Sequence, residues 1–408
     1  MKPAPPPPPP PPPPTLACAL SSGGPTAAAV FDGEGVSLVA VTEADDGTVD
    51  VVTHEAETPA AAEAFVDELE AAGVVLAVET NGLVQAVTTA TDPRRADQWA
   101  LDRVPFEDAW DTAGTLGDGV VVAIVDTGIN GVHTDLAGQF VPGVDWVVDG
   151  RPGCADAHGH GTHVAGVIAA IENNAIGIAG AAPNVKLMPV RVLGQNGSGL
   201  VSDLADGIKW AVDHGADVIN LSLGDPAPMP TVQAMVQYAR DHGVVVVASA
   251  GNCNPQCSSD PEGTPDGPVY PAAYPEAISV AANALADDPA PPEVPPLPLV
   301  RAPFSRANGE VDLSAPGSAI WSTYPNNGYI ALSGTSMASP YVAAAAALFL
   351  AMCPAVRADD TVGAVTLVTS KLTDPLSGAV IDLGLPGRDN SFGFGLIDPN
   401  AMLLSGCS

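Results

Sequence analysis

The sequence has few charged residues and very few basic ones. Charged residues make up 15% of its 408 residues, below the roughly 25% of an average soluble protein. Only 14 residues are Lys or Arg against 47 Asp or Glu, so the formal net charge is −33. Nucleic acids and anionic membrane surfaces are bound by clustered Lys and Arg, so the composition argues against both as partners. General disorder is also excluded, because 46% of the residues are hydrophobic, enough to form a core.

The sequence also lacks a long hydrophobic run. The longest, Tyr341 to Cys353, has 13 residues, whereas a helix that crosses a bilayer needs about 20. No membrane span is therefore predicted. A run of ten prolines, Pro5 to Pro14, stands where the apolar helix of a secretory signal would lie. An export signal is therefore not evident in the sequence.

The six cysteines are few, and their spacing does not predict a zinc site, since no second Cys or His pair accompanies them. The spacing allows two disulfides, one closing a small loop between Cys253 and Cys257 and one tying Cys353 to Cys407. Disulfides favour an exported, oxidising environment. Five cysteines follow residue 97, so at least one is unpaired in a monomer, and we expect it to be Cys154.

Composition divides the chain into four segments. Residues 1–24 form a proline-rich, low-complexity leader that we expect to be extended and outside any core. Residues 25–92 predict a small α+β domain with a hairpin turn at Asn81-Gly82. Residues 93–98 form an exposed linker, and residues 99–408 form the larger domain.

In the larger domain, apolar β-branched runs alternate with helical patterns. Such runs are typical of strands buried on both faces, so the alternation predicts an α/β fold with a mostly parallel sheet and helices on both faces. The predicted strands are Val120–Val125, Lys186–Val192, Asp217–Leu221, Val244–Ala248 and Ala277–Val280. The predicted helices are Gly161–Ala170, Leu200–His214, Met229–His242 and Met337–Cys353. The proline-rich segment Pro289–Pro303 predicts a surface loop.

Three motifs carry an acid, an imidazole and a hydroxyl, each at the edge of a predicted element. Asp126 lies in Val125-Asp126-Thr127-Gly128, at the end of a strand. His160 lies at a loop-to-helix boundary, in His158-Gly159-His160-Gly161-Thr162-His163. Ser336 lies just before the alanine-rich helix, in Ser333-Gly334-Thr335-Ser336-Met337-Ala338. Together these groups are the parts of a nucleophilic acyl-transfer site.

Each motif has a second interpretation when it is taken alone. Asp126-Thr127-Gly128 is also the signature of aspartic peptidases, which need two such carboxylates, and the sequence contains no second one. His158, His160 and His163 could form a metal cluster, although no acidic ligand is paired with them. Ser336 could be the capping serine of a helix.

Taken together, the three motifs resemble the signature blocks of the subtilisin-like serine peptidases, the subtilases, in that family's order of Asp, His and Ser. The resemblance extends from about residue 97 to the C-terminus. It implies that His160 takes the proton of Ser336 and that Asp126 orients His160. In the family's H-G-T-H pattern the first His is catalytic, which leaves His163 a structural role. Ser336 would stand at a helix N-terminus, where backbone N–H groups favour a developing oxyanion.

The resemblance also implies an oxyanion hole and a substrate cleft. Asn252 in Ser249-Ala250-Gly251-Asn252 matches the asparagine whose amide, with the Ser336 N–H, holds the oxyanion. The segment Asn220-Leu221-Ser222-Leu223-Gly224 resembles the lining of the first specificity pocket, through Ser222, Leu223 and Gly224. The residues Gly197, Ser198 and Gly199 resemble the edge strand that pairs with an extended peptide. We expect Gly161 and Gly334 to leave room for the substrate backbone.

The family's chemistry needs no cofactor, but many members hold a structural calcium ion. Asp135 in His133-Thr134-Asp135-Leu136 and Asn174 in Asn173-Asn174-Ala175-Ile176-Gly177 match its ligands. Calcium needs six or more oxygen ligands. The third partner, near the start of the larger domain, is expected at Arg95 or a neighbour, which departs from the family pattern.

The resemblance predicts a secreted, monomeric serine endopeptidase acting on polypeptides. Residues 25–92 resemble the family's inhibitory propeptide, with cleavage expected between about Thr88 and Asp97. The alternatives are that this segment is a permanent accessory domain, or that the chain is a catalytically silent binding or surface protein with a subtilase fold.

Overall fold

The computed structural model of the chain describes residues 36–43, 49–56, 58, 61, 64–66, 75–80, 90–147, 155–253, 266–286, 299–358, 362–373, 380–381, 383 and 387–407. The polyproline run, the Asn81-Gly82 turn, Cys154 and Cys257 lie outside these residues. Contacts divide the chain into two compact units, Met1–Ala86 and Val87–Ser408.

The first unit contains a three-stranded antiparallel sheet. Its strands are β1 (Val36–Glu43), β2 (Val49–Ala56) and β3 (Val75–Thr80), in the order β2-β1-β3. All three are rich in valine, whose branched side chain favours the extended backbone.

The second unit is built on a large, mostly parallel sheet. Its order is β14-β15-β11-β9-β8-β7-β4-β6-β5, and β10 pairs with β9. All described pairs are parallel except β10 with β9 and β14 with β15. The strands are β4 (Val121–Asp126), β5 (Val144–Asp145), β6 (Lys186–Arg191), β7 (Val218–Leu221), β8 (Val245–Ser249), β9 (Ile278–Leu285), β10 (Leu299–Arg301), β11 (Leu313–Pro316), β14 (Val380–Ile381) and β15 (Leu396–Ile397). A separate hairpin is formed by β12 (Ile320–Tyr324) and β13 (Gly328–Leu332).

Helices cover both faces of this sheet, and two clusters of buried apolar side chains lie between them and the strands. The helices are α1 (Trp99–Arg103), α2 (Phe106–Ala113), α3 (His160–Ala169), α4 (Val201–Asp213), α5 (Pro230–Asp241), α6 (Thr335–Met352), α7 (Pro354–Arg357), α8 (Val362–Thr373) and α9 (Pro399–Leu404). The predicted α/β class is therefore confirmed.

Helix α6 is the central helix of the core. Residues Met337 to Leu350 are all buried, and the run Ala343–Ala347 keeps its surface narrow enough to lie close to the sheet. Among the described helices, α6 alone has the length and composition to cross a membrane, and 83% of it is buried within the protein. It is thus the core helix that the sequence predicted.

The segment Pro289–Pro303 is not a loop throughout. Residues Leu299–Arg301 form β10, which pairs antiparallel with residues Asn283–Leu285 of β9. These three residues contain no proline, so each can donate a backbone N–H to the sheet edge. The density of prolines upstream of residue 299 hid this strand from the sequence interpretation.

One predicted disulfide is described completely. Cys353, which follows the last residue of α6, is bonded to Cys407 beyond α9. Cys253 is also disulfide-bonded. Its predicted partner, Cys257, lies outside the described residues.

Candidate active site

The fold brings together the ends of neighbouring strands. Strands β8, β7, β4 and β6 are adjacent and parallel, so the residues that follow them meet at one edge of the sheet. In open α/β sheets this edge is where ligands bind. Asp126 ends β4, Ser222 follows β7, and Asn252 lies shortly after β8.

Asp126 and His160 are directly hydrogen-bonded. The His160 Nδ1–H faces both carboxylate oxygens of Asp126, at 2.8 and 2.9 Å. Asp126 is fully buried, whereas the His160 side chain is 20% exposed. Asp126 Oδ1 also accepts a hydrogen bond from the Thr127 backbone N–H. The carboxylate therefore fixes the ring and leaves Nε2, which has no hydrogen-bond partner among the described residues, available on the open side.

A second buried carboxylate holds the loop that carries His160. Asp156 accepts hydrogen bonds from the backbone N–H groups of His158, Gly159 and Thr162, and from the hydroxyls of Thr127 and Thr162. It thereby satisfies N–H groups at the start of α3 that have no partner within the helix. Asp156 was not predicted as a site residue, although an Asp four residues before His160, close to a predicted helix start, is typical of a capping residue.

The two carboxylates set the protonation behaviour of His160. Burial acts to lower the pKa of His160, but the charge and hydrogen bond of Asp126, together with the charge of Asp156, outweigh it. The pKa of His160 therefore lies above its ordinary value of 6.5. A ring with this environment readily accepts a proton from a neighbouring hydroxyl and holds it.

Ser336 is the second residue of α6 and is tied to Ser222. The Ser336 hydroxyl donates to the Ser222 carbonyl at 3.0 Å, and the Ser222 hydroxyl donates to the Ser336 carbonyl at 2.8 Å. Because its one hydrogen is used, the Ser222 hydroxyl accepts from Asn220 Nδ2 and from the Ser339 hydroxyl. Ser222 is therefore buried as a support for the start of α6, a role that the sequence analysis did not predict.

No hydrogen bond joins Ser336 to His160 in the described part of the chain. His160 lines the cleft together with Ser222, whose carbonyl accepts the Ser336 hydroxyl. Contacts between a nucleophile and its base are often long in unliganded enzymes and tighten when substrate binds. To react, the Ser336 hydroxyl must change its hydrogen-bond acceptor from the Ser222 carbonyl to His160 Nε2.

The side chain of Asn252 is oriented by the residue that precedes Ser336. Asn252 Oδ1 accepts hydrogen bonds from the backbone N–H and hydroxyl of Thr335, at 3.0 and 3.1 Å. The Thr335 hydroxyl in turn accepts from the Gly251 N–H. With its oxygen occupied, Asn252 directs Nδ2 towards Gly334, where an added Cβ would lie 3.5 Å away. The amide N–H₂ is thus an available donor beside Ser336.

The predicted substrate-binding residues line one cleft of about 520 Å³. The lining contains Gly197, Ser198 and Gly199 from one segment and Ser222, Leu223 and Gly224 from another, together with His160. Further lining residues are Thr127, His158, Leu193, Asn196, Leu200, Val201, Leu204, Asp225 and Met229. The apolar part of this lining was not identified from the sequence.

Gly161 has a different role from the one expected. A Cβ at Gly161 would lie 2.1 Å from the Gly128 carbonyl oxygen and 3.2 Å from the Asp126 Cβ. The glycine therefore lets α3 pack against Asp126 at the end of β4 and against the loop that follows. Gly161 is buried rather than facing a substrate.

The rival metal site at the histidines is not formed. His163 is buried, and its Nε2–H donates to the carbonyls of Ile320 and Ile330. Burial lowers the pKa of His163 to about 4, so the ring is neutral. Within the residues that the structure describes, no three His, Cys, Asp or Glu side chains are grouped so that they could hold a metal ion.

The two predicted calcium ligands are adjacent. Asn174 Nδ2 donates to Asp135 Oδ1 at 2.7 Å, while Asp135 Oδ2 accepts from the Ile178 N–H and the Tyr329 hydroxyl. Burial raises the pKa of Asp135. Asn174 Oδ1 accepts from the Ile176 N–H at 2.8 Å. The two side chains therefore bring a buried carboxylate and an amide together, which are donor types that calcium takes.

Asp92 is the acidic residue near the start of the larger domain that contacts this loop. The Asp92 carboxylate accepts from the backbone N–H groups of Asn173 and Asn174, whereas Arg95 is paired with Asp102 and Glu107. Asp92 is 4% exposed, so it places a buried carboxylate beside the Asn173–Asn174 loop.

Comparison with known proteins gives consistent matches. The family model described as "Subtilase family" matches residues 117–395, more than half of the chain. The chain is 40% identical over 288 residues to Subtilisin DY of Bacillus licheniformis, covering 71% of this chain and 92% of that protein. It is 42% identical over 254 residues to Alkaline protease of Alkalihalobacillus alcalophilus, covering 61% of this chain.

The match spans only 58% of the length of that alkaline protease. Among solved structures, the chain is similar to a protease from Pseudoalteromonas arctica PAMC 21717, with a TM-score of 0.63 and 32% identity. This similarity covers 78% of the chain and 99% of the solved structure.

Proposed function

The chain belongs to the subtilase family, and from this premise we propose that it is a secreted serine endopeptidase. It hydrolyses peptide bonds of polypeptide substrates through a triad of Asp126, His160 and Ser336. The observation that carries the proposal is the 2.8 Å contact between Asp126 and His160 Nδ1, with Nε2 free beside the cleft.

The first half of the reaction forms an acyl-enzyme. Ser336 Oγ attacks the carbonyl carbon of the scissile bond while its proton passes to His160 Nε2. Asp126 stabilises the imidazolium through Nδ1–H without taking the proton itself. The carbonyl oxygen becomes an oxyanion, which the Asn252 amide and the Ser336 backbone N–H bind. Collapse of the tetrahedral intermediate breaks the C–N bond, and His160 gives its proton to the leaving amine.

The second half releases the acid product. Water attacks the ester carbonyl, His160 takes its proton, and the C–Oγ bond breaks as the proton returns to Ser336. The two segments that line the cleft, residues 197–199 and 222–224, offer backbone groups that can pair with an extended substrate. The N-terminus of α6 meets this chemistry through the Ser336 backbone N–H.

The test is hydrolysis of casein and of a fluorogenic peptide by the wild type and Ser336→Ala. We expect the variant to lose activity by at least about 10³-fold, a magnitude known from subtilisin itself rather than deduced from this structure. Ser370→Ala, on α8 and with its hydroxyl bonded within that helix, is the matched control and should keep wild-type activity. Equal activity of wild type and Ser336→Ala would contradict the proposed mechanism. An inactive but correctly processed wild type would favour a silent binding protein.

Processing, location and calcium complete the proposal. We infer that the N-terminal unit is a propeptide that inhibits the enzyme until it is cleaved. The disulfide between Cys353 and Cys407 supports export to an oxidising environment. A structural calcium ion would be held by Asp92, Asp135 and Asn174, and it would stabilise the fold without taking part in the chemistry.

A further inference from the structure

Residues 304–306 hold the short segment that carries Asn252. Asn252 and Ser305 form an antiparallel bridge. The Cys253 N–H donates to the Phe304 carbonyl at 2.9 Å, and the Arg306 N–H donates to the Gly251 carbonyl at 3.1 Å. The backbone on both sides of Asn252 is therefore paired with one neighbouring segment.

The side chain of Arg306 adds a second set of bonds to the same backbone. Its Nε–H donates to the Asn252 carbonyl at 3.4 Å, and its Nη1–H donates to the Gly267 carbonyl at 2.8 Å. The guanidinium group thus joins the backbone of residue 252 to that of residue 267. A planar group with several N–H donors can hold two carbonyls at once, whereas an ammonium group is a single point charge.

Arg306 has no acidic partner among the residues that the structure describes. Its hydrogen bonds there go to carbonyl oxygens, and no carboxylate forms an ion pair with it. The side chain of Arg306 therefore bonds backbone carbonyls on two segments rather than a carboxylate in the described part of the chain.

The geometry explains why residue 252 needs such support. Gly251 has φ of +96°, a conformation that L side chains rarely adopt, and a Cβ there would lie 2.5 Å from Val269 Cγ2. Thr335 fixes the side-chain oxygen of Asn252, and Arg306 fixes its backbone carbonyl. The backbone carbonyl and the side-chain oxygen of Asn252 are therefore both held, and this fixes the direction of its Nδ2.

We propose that Arg306 is a positioning residue for the oxyanion-binding amide of Asn252. It acts by holding the backbone carbonyl of residue 252, while Thr335 holds the side-chain oxygen, so that the side-chain amide is fixed in one direction. The inference rests on the proposed function, because it gives Arg306 a task only if Asn252 binds an oxyanion. It goes beyond that function by assigning a further residue to the transition state.

The experiment measures kcat and KM per active site for Arg306→Met and Arg306→Lys. Active sites are counted by stoichiometric fluorophosphonate labelling, so poorly folded molecules do not lower kcat. We expect Arg306→Met to lower kcat about tenfold with KM nearly unchanged, because the lost interaction matters in the transition state. Arg306→Lys keeps the charge and one donor and should recover part of the loss. Arg240→Met, which removes a charge at the end of α5, is the matched control and should behave as wild type.

A double-mutant cycle separates this inference from the proposed function. If Arg306 acts through Asn252, the Arg306→Met loss should vanish in an Asn252→Ala background. Equal loss in both backgrounds, or a change in KM alone, would overturn the inference while leaving the proposed function intact. An Asn252→Ala variant with wild-type kcat would instead overturn the oxyanion role of Asn252.

Inhibitor binding gives a readout that a purely structural role would not move. A peptide aldehyde forms a tetrahedral adduct whose oxygen occupies the oxyanion position, whereas a noncovalent peptide product does not. We expect Arg306→Met to weaken binding of the aldehyde by the same factor by which it lowers kcat, and to leave binding of the product unchanged. Equal weakening of both ligands would show a general distortion of the cleft and would overturn the inference.

Discussion

The two buried carboxylates beside His160 have separate tasks at the scale of single residues. Asp126 bonds the imidazole itself, whereas Asp156 bonds the backbone around it. Both charges favour protonated His160, against the effect of burial. The base is therefore held in one orientation, and its proton affinity is set by groups that never touch the substrate.

The raised pKa of His160 predicts the acid limb of activity. The base must be neutral to accept the proton of Ser336, so kcat/KM should fall as pH drops through the pKa of His160, with a midpoint above 6.5. The effect on folding stability has the opposite pH dependence. Protonated His160 stabilises the folded state below this pKa, and that contribution is lost as pH rises through it. The measurement is a pH profile of kcat/KM with a neutral peptide.

The Asp126→Asn variant tests whether Asp126 sets the acid limb of the pH profile. Loss of the carboxylate should lower kcat by about 10⁴-fold and move the acid midpoint of the residual activity to lower pH. An unchanged midpoint would mean that Asp126 does not raise the pKa of His160.

At the scale of elements, much of the fold follows from hydrophobic patterns. The strand at Val121–Asp126 and the helices at Val201–Asp213 and Pro230–Asp241 agree with their predicted positions within one or two residues. Long apolar runs and clear helical spacing fix such elements because burial leaves one consistent arrangement. By contrast, β10 has three residues after a proline-rich stretch, too few for a pattern.

The residues of the candidate site also divide into those that the sequence predicts and those that it does not. Asp126, His160, Ser336 and Asn252 are predicted from the sequence because short motifs carry them. Asp156, Asp92 and Arg306 were missed because each acts through backbone groups distant in sequence or across a turn. Such roles depend on tertiary contacts that composition and spacing do not encode.

The Asn173–Asn174 loop predicts a response to calcium. Calcium at 100 times its Kd should stabilise the protein by about 2.7 kcal/mol, and this gain should shrink at low pH as Asp135 becomes protonated. Thermal unfolding with calcium and with EGTA measures it, and Asp135→Asn should abolish the difference. A wild type that unfolds at the same temperature in both conditions would contradict a calcium site.

The link between α6 and the tail predicts a stability effect without a catalytic one. The Cys353–Cys407 bond spans 54 residues, and loop-closure entropy of that length corresponds to at most about 4 kcal/mol. Cys407→Ser should therefore lower the unfolding temperature while kcat/KM at 25 °C stays at the wild-type value. Reduced wild type serves as the comparison, and a variant as stable as the oxidised wild type would show that the bond adds nothing.

At the scale of the whole molecule, the chain consists of two units with different expected fates. The boundary at residues 86–87 lies next to residues that are bound to the larger unit. The Ala90 N–H donates to Glu107, Thr91 donates to Asn173 Oδ1, and Asp92 accepts from the loop at 173–174. The strongly acidic composition favours a well-solvated surface.

These contacts predict where the active protein begins. Cleavage should leave Ala90 to Asp92 in place, because they are bonded to the larger unit, so the mature N-terminus should lie at Thr88–Ala90. N-terminal sequencing of purified active enzyme measures this directly. An active form that still contains residue 25 would contradict the propeptide assignment, and a start after Asp92 would show that these bonds are dispensable.

The central claim, that Ser336 is the activated nucleophile, is tested most directly by covalent labelling. Purified enzyme is treated with a fluorophosphonate and its mass is measured, followed by peptide mapping of the adduct. We predict one adduct per molecule, located on Ser336, with none on Ser336→Ala and slowed labelling when Asp126 is replaced by Asn. No adduct on the correctly processed wild type, or an adduct that persists in Ser336→Ala, would contradict the account.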